Sequence, residues 1–86
     1  MEVNIKLING VTKTVKLGSG QLYRITTFVS DEFEERRRFY TGVYIDEVSS
    51  HYLRTTYKDG FNKSRHRSDY NSISFSELEN IEEMVL

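Results

Sequence analysis

Val3-Asn4-Ile5-Lys6-Leu7-Ile8-Asn9-Gly10-Val11-Thr12-Lys13-Thr14-Val15-Lys16-Leu17 holds two alternating apolar runs separated by Asn9-Gly10. Period-two alternation interrupted by Asn-Gly marks a β-hairpin, because those two residues tolerate the positive φ angles a tight turn needs. Two loop lengths compete. A two-residue loop would pair Ile8 with Val11 and put Val11, Val15 and Leu17 on the side of Asn4 and Lys6, against the apolar pattern. A three-residue loop, Ile8-Asn9-Gly10 with Gly10 left-handed, pairs Leu7 with Val11 and Val3 with Val15. It collects Val3, Ile5, Leu7, Val11, Val15 and Leu17 on one side, with Lys13 the only intruder. The same register sets Glu2 opposite Lys16, a pair worth a few tenths to about 1 kcal/mol. We therefore expect the three-residue loop.

Working outward, Gly18-Ser19-Gly20 breaks the pattern, and Leu22 to Val29 reads as a third strand. Tyr23, Ile25 and Val29 lie on one side of it, Leu22, Arg24, Thr26 and Phe28 on the other. After the polar connection Ser30–Glu34, Arg36 to Ile45 is the longest strand candidate. Its alternation turns Phe39, Val43 and Ile45 inward and Arg36, Arg38, Tyr40 and Tyr44 outward. Asp46-Glu47 turns the chain, and a fifth strand runs from about Ser50 to Tyr57. Asp59-Gly60 is a second hairpin signal, with Tyr57 across from Phe61. Residues 58–72 then form a polar, basic loop or mobile hairpin arm without period. A single domain over residues 1–86 accommodates all of this, with no internal repeat.

The closing segment admits two readings. Ser74 with Glu77 makes a capping box, Ile73 and Leu78 fit the flanking staple, and Leu78, Ile81 and Val85 repeat at helical spacing, so a short helix is the better local choice. The competing one is a brief strand Ser72–Phe75, one helical turn at Ser76–Asn80 and a last strand Glu82–Leu86. In that second form, Ile73-Ser74-Phe75-Ser76-Glu77-Leu78-Glu79-Asn80-Ile81 resembles the closing element of small Sm-like or SH3-like barrels, and the resemblance covers only that segment. No functional residue is carried over from it.

Composition narrows the class. Twelve Lys and Arg against thirteen Asp and Glu leave a net charge of −1, which excludes the one-signed field of a nucleic-acid coat or a polyanionic DNA mimic. A chain of this size has a thin core and little apolar material to spare for a deep enzyme pocket. Cys is absent, so there is no disulfide framework and no thiolate zinc site. No apolar run approaches the roughly 18 residues of a spanning helix, and no signal-peptide pattern opens the chain; a soluble, cytoplasmic protein is the expectation. Pro, Trp and Ala are also missing, whereas Val, Ile, Phe, Tyr and Thr supply more than a third of the residues, a bias towards strands. This Pro-free, Ala-free, Asn/Lys/Tyr-rich style resembles small early proteins of phages and mobile elements of AT-rich bacteria, which implies a protein that binds and blocks a host component.

Arg36-Arg37-Arg38 followed by Phe39-Tyr40 is the strongest chemical signal. On a strand Arg36 and Arg38 share a side with Tyr40 and Tyr44, and pairing with the third strand would bring Arg24 near Tyr40 and Phe28 near Arg36. Guanidinium forks match phosphate oxygens and flat rings stack on bases, so the combination suits a nucleotide or single-stranded nucleic acid. The plainer alternative lays Arg stems over Tyr rings on a solvated face, neutralised by Glu34 and Glu35. A second basic cluster, Arg54, Lys58, Lys63, Arg65 and Arg67, could grip phosphates or dock on the acidic residues after position 68.

His51 and His66, without Cys or a helical His-Glu-x-x-His motif, do not suggest a metal site. Gly18-Ser19-Gly20-Gln21 lacks the Lys-Ser/Thr ending of a P-loop. The acid pairs Glu34-Glu35 and Asp46-Glu47 sit beside no evident nucleophile.

The sequence thus predicts a mainly β domain: a small antiparallel barrel or strongly bent sheet of five or six strands, with a short C-terminal helix or helical turn. It predicts a non-enzymatic, cofactor-free binding protein that holds an anionic ligand, nucleotide or nucleic-acid phosphate, through Arg24, Arg36, Arg38, Tyr40, Tyr44, Arg65 and Arg67. The alternatives are a phage-type inhibitor docking on a host enzyme, and a structural or assembly subunit. Unprotected sheet edges make a homo-oligomer a further expectation.

Overall fold

A computed structural model describes residues 1–58 and 70–85. The chain runs β1 (Glu2–Lys6), β2 (Thr12–Lys16), β3 (Tyr23–Ser30), β4 (Glu35–Val48), β5 (Tyr52–Tyr57), β6 (Tyr70–Ser74), a 3-10 turn (Phe75–Glu77) and β7 (Leu78–Glu83). β1 and β2 form a two-stranded sheet, and the other strands form a five-stranded antiparallel sheet in the order β6-β5-β4-β3-β7. The fold is mainly β, with seven strands instead of five or six and no closed barrel among the described residues.

The first hairpin adopts the expected register, Glu2 opposite Lys16 and Val3 opposite Val15. The Gly10 N–H donates to the Leu7 carbonyl at 3.0 Å, the Leu7 N–H donates to the Val11 carbonyl at 2.8 Å, and Gly10 has φ 86°. A residue without Cβ is needed there, because left-handed backbone costs other residues about 1–2 kcal/mol. The Lys16 ammonium lies 3.7 Å from the Glu83 carboxylate, so it reaches the large sheet instead of forming an ion pair with Glu2. Val11, expected inward, is 48 % exposed just before β2.

Ile5, Leu7 and Val15 of this hairpin join Tyr23 and Ile25 of β3, Val43 and Ile45 of β4, Leu53 of β5, Ile73 of β6 and Leu78 and Ile81 of β7 in one core. Tyr23 shows how the two sheets lock together. Its ring is buried and its hydroxyl accepts a 2.8 Å hydrogen bond from the backbone N–H of Lys16 in β2. The loop before β2 is tied down as well, by an Ile8 N–H bond of 2.8 Å to the Leu78 carbonyl.

The C-terminal helix is not formed. Ser74 does cap a helical turn, its hydroxyl accepting from the Ser76 N–H, but that turn is a three-residue 3-10 segment, and Leu78 onward is strand. Helical spacing of Leu78 and Ile81 is overridden because β7 pairs with β3, Ile81 opposite Ile25 and Leu78 opposite Thr27. A register shift between those two pairs makes Glu79 the extra residue and lets residues three apart face the same core. The competing strand, turn and strand reading describes the order correctly, with β7 beginning four residues earlier than expected.

The Asp59-Gly60 turn, the Tyr57–Phe61 pairing and most of the basic arm lie outside the described residues. Its last part, Tyr70–Ser72, belongs to β6 and not to a loop. No described helix is long and apolar enough to cross a membrane.

Candidate functional site

β3 and β4 are the longest strands and outrun their neighbours. β7 pairs with β3 from Tyr23 to Thr27, and β5 pairs with β4 from Val43 to Val48, whereas β3 and β4 pair with each other out to Ser30 and Glu35. The distal half of this hairpin carries the arginine run. At its tip Asp31 closes the connection: its carboxylate accepts from the N–H groups of Phe33 and Glu34 at 2.8 and 2.9 Å. Those backbone bonds, Glu34 first and Phe33 second, hold the Asp31 carboxyl below the usual carboxylate range.

One backbone irregularity decides which side chains share a face. Tyr23 pairs with Val43 and Arg24 with Thr41, leaving Gly42 unpaired at φ 74°. This bulge shifts the alternation of β4 by one residue. Distal to it the even positions Arg36, Arg38 and Tyr40 look to the core side; proximal to it the odd positions Val43 and Ile45 do. Phe39, expected inward, is therefore turned out and is 64 % exposed. Tyr44 sits on the face opposite Tyr40. Arg24 pairs with Thr41 and Phe28 with Arg37, one residue away from the expected partners Tyr40 and Arg36.

Of the residues nominated from the sequence, the fold thus gathers Arg36, Arg38 and Tyr40. It places Arg24 and Tyr44 elsewhere, and Arg65 and Arg67 lie outside the described residues. Tyr44 lines a separate open depression of about 240 Å³ with Lys16, Gln21 and Asp46. The charged heads there are occupied, Lys16 by Glu83 and Asp46 by the Thr56 hydroxyl. His51 is exposed at the β4–β5 turn, where its carbonyl accepts from the Phe75 N–H at 2.9 Å.

Arg36, Arg38 and Tyr40 line a narrow cleft of about 80 Å³ together with Thr27, Val29 and Glu77. Arg36 lies 3.4 Å from the Glu34 carboxylate. Arg38 and Glu77 make no hydrogen bond or ion pair among the described residues, so the cleft holds an unpaired guanidinium and an unpaired carboxylate. Glu77 escapes a sequence reading, which registers it only as half of a capping box. Its place opposite the arginines depends on β7 pairing with β3, a contact far apart in sequence.

The other face of the arm is structural. Arg37 reaches across Phe28, its guanidinium carbon 4.8 Å from the ring centroid, and makes a two-pronged hydrogen bond to Glu79 at 2.6 and 2.8 Å. The planar fork matches the carboxylate geometry and ties the hairpin to β7. Those bonds hold the Glu79 carboxyl below its ordinary value. Arg54 of β5 is similarly joined to Glu47 of β4.

Compared with protein-family models, curated proteins and solved structures, the chain matches none.

Proposed function

We propose that the protein is a non-catalytic binding protein that holds a phosphate-bearing ligand, nucleotide or nucleic acid, on the Arg36–Arg38–Tyr40 face of its long hairpin. The observation that supports it is the cleft itself: two guanidinium groups at alternate positions of β4 share it with a phenol ring, and one of them is unpartnered among the described residues. Guanidinium groups bind phosphate oxygens through paired N–H donors, and an aromatic ring beside them offers a stacking platform. A volume of about 80 Å³ is far below the ~300–1,000 Å³ of pockets that engulf small molecules. The cleft suits one group of a ligand whose remainder lies along the hairpin. β6 and β7, opposite edges of the five-stranded sheet, are joined by only the three-residue turn Phe75–Glu77. Four strand spacings of about 4.8 Å separate those edges in a flat sheet, more than a 3-10 turn advancing about 2 Å per residue spans. In this reading the sheet bends in a barrel-like way, which brings Glu77 over the hairpin.

The test is anisotropy of a fluorescein-labelled ten-residue oligothymidylate titrated with wild type and with Arg38→Glu. Binding should weaken with salt and fall at least tenfold in the variant, with melting nearly unchanged because Arg38 is exposed. Equal affinity of the two proteins, or no binding by either, would remove the proposal.

A second reading has its own observation. Phe33 and Phe39 are 92 % and 64 % exposed, and the Arg37 guanidinium lies over the Phe28 ring; aromatic residues and Arg are enriched at protein interfaces. On that reading the arm docks on another protein, and Phe39→Ser, not Arg38→Glu, releases the partner.

A further inference from the structure

We infer that Glu77 makes the cleft selective for guanine: the ligand presents a guanine edge to the Glu77 carboxylate in the cleft, and Arg36 and Arg38, on its β4 wall, hold the phosphate where the ligand continues along the hairpin. The inference rests on the phosphate-binding reading above. Glu77 lines the same cleft as both arginines and Tyr40, and its carboxylate has no partner among the described residues. An ionised carboxylate only accepts hydrogen bonds. In a site built for anions it repels a second phosphate, so it contributes affinity only where the ligand brings donors to it.

The base edges differ sharply in this respect. Guanine carries N1–H and the N2 amino group side by side, two donors that meet two carboxylate oxygens. Adenine and cytosine place a ring nitrogen acceptor beside the amino group, and that lone pair opposes the second oxygen. Thymine and uracil offer a single N–H flanked by carbonyls. Guanine alone among them satisfies the carboxylate without repulsion, and a two-pronged contact of this kind discriminates by about 1–3 kcal/mol, roughly 5- to 150-fold. The small volume of the cleft fits a base edge better than a whole nucleotide, with Tyr40 available to stack on the ring.

The turn that carries Glu77 is held by the Ser74 hydroxyl and by the Leu78 N–H on the Phe75 carbonyl, neither of which uses the Glu77 side chain. Glu77→Gln is thus expected to fold. It removes the charge and one of the two acceptors.

The experiment compares labelled oligothymidylate with the same strand carrying one central guanine, and GMP with AMP, CMP and UMP by calorimetry, on wild type and Glu77→Gln. Wild type should bind the guanine strand at least fivefold more tightly than oligothymidylate, and Glu77→Gln should bind both strands alike. If the mononucleotide series shows the same preference, the ligand source is a free nucleotide; preference confined to the strands assigns it to a single strand. Equal wild-type binding of guanine and thymine strands, or a guanine preference surviving in Glu77→Gln, overturns the selectivity while leaving the phosphate site standing. Absence of binding to every probe overturns both. Should Glu77→Gln fail to fold, the wild-type comparison alone decides.

Discussion

Thr55→Val should make this protein more stable. Thr55 of β5 is fully buried, between Ile45 of β4 and Asn71 of β6 in the sheet, and its Oγ1 has no hydrogen-bond partner among the described residues. A buried hydroxyl without a partner retains its desolvation cost, about 1–3 kcal/mol in proteins. Valine has nearly the same shape, suits a strand as well, and replaces the hydroxyl by a methyl group whose burial is favourable. The expected net gain is about 1–2 kcal/mol, and for a domain of 60–100 residues each kcal/mol moves Tm by about 4–8 °C. Urea unfolding followed by circular dichroism should show a higher midpoint with an unchanged m-value. Thr41→Val, on the exposed side of β4, serves as control and should stay within about 0.5 kcal/mol. If Thr55→Val is neutral or destabilising, the hydroxyl is satisfied and the reasoning from its isolation fails.

Two further outcomes follow from named residues. Gly42→Ala should cost about 1 kcal/mol, read as a lower urea midpoint, because φ is 74° there although an added Cβ meets nothing within 4 Å. Gly42→Asn should cost less, since Asn tolerates the left-handed region, and equal stability of Gly42→Ala and wild type would show that the bulge needs no positive φ. Acid should also weaken the hairpin arm. The folded pKa values of Asp31 and Glu79 are depressed, so the folded state binds fewer protons than the unfolded chain; this stabilisation is complete above the ordinary carboxylate range of about 4 and is lost as pH falls through and below it. Asp31 is exposed and Glu79 only half-buried, so the effect is small. Melting between pH 7 and pH 3 should show a shallower acid dependence for Glu79→Gln than for wild type, and identical profiles would deny the Arg37–Glu79 bond a role.

The register and the loop of the first hairpin were legible. Its loop is decided by the chemistry of Asn9 and Gly10 and by an apolar alternation that tolerates only one register, both local properties of the chain. The strand from Tyr23 to Ser30 and the body of β4 were legible for the same reason, but the turn expected at Asp46-Glu47 falls inside β4, which runs on to Val48 because Glu47 and Val48 still pair with β5. The C-terminal element was not: Ser74 and Glu77 promote a helical turn, and only pairing of Leu78 and Ile81 with a strand some fifty residues earlier makes the continuation extended.

The face of β4 was the other matter that alternation alone leaves open. A period-two count carried through Gly42 turns Phe39 inward and groups Tyr44 with the arginines. One unpaired glycine reverses both, because an extra residue in one strand of a pair moves every later side chain to the opposite side. The residue types that suit a phosphate were thus written in the chain. Which of them meet, and that Glu77 meets them, depended on long-range pairing, whose free energy comes from burying distant apolar residues together and leaves no signal in a local stretch of sequence.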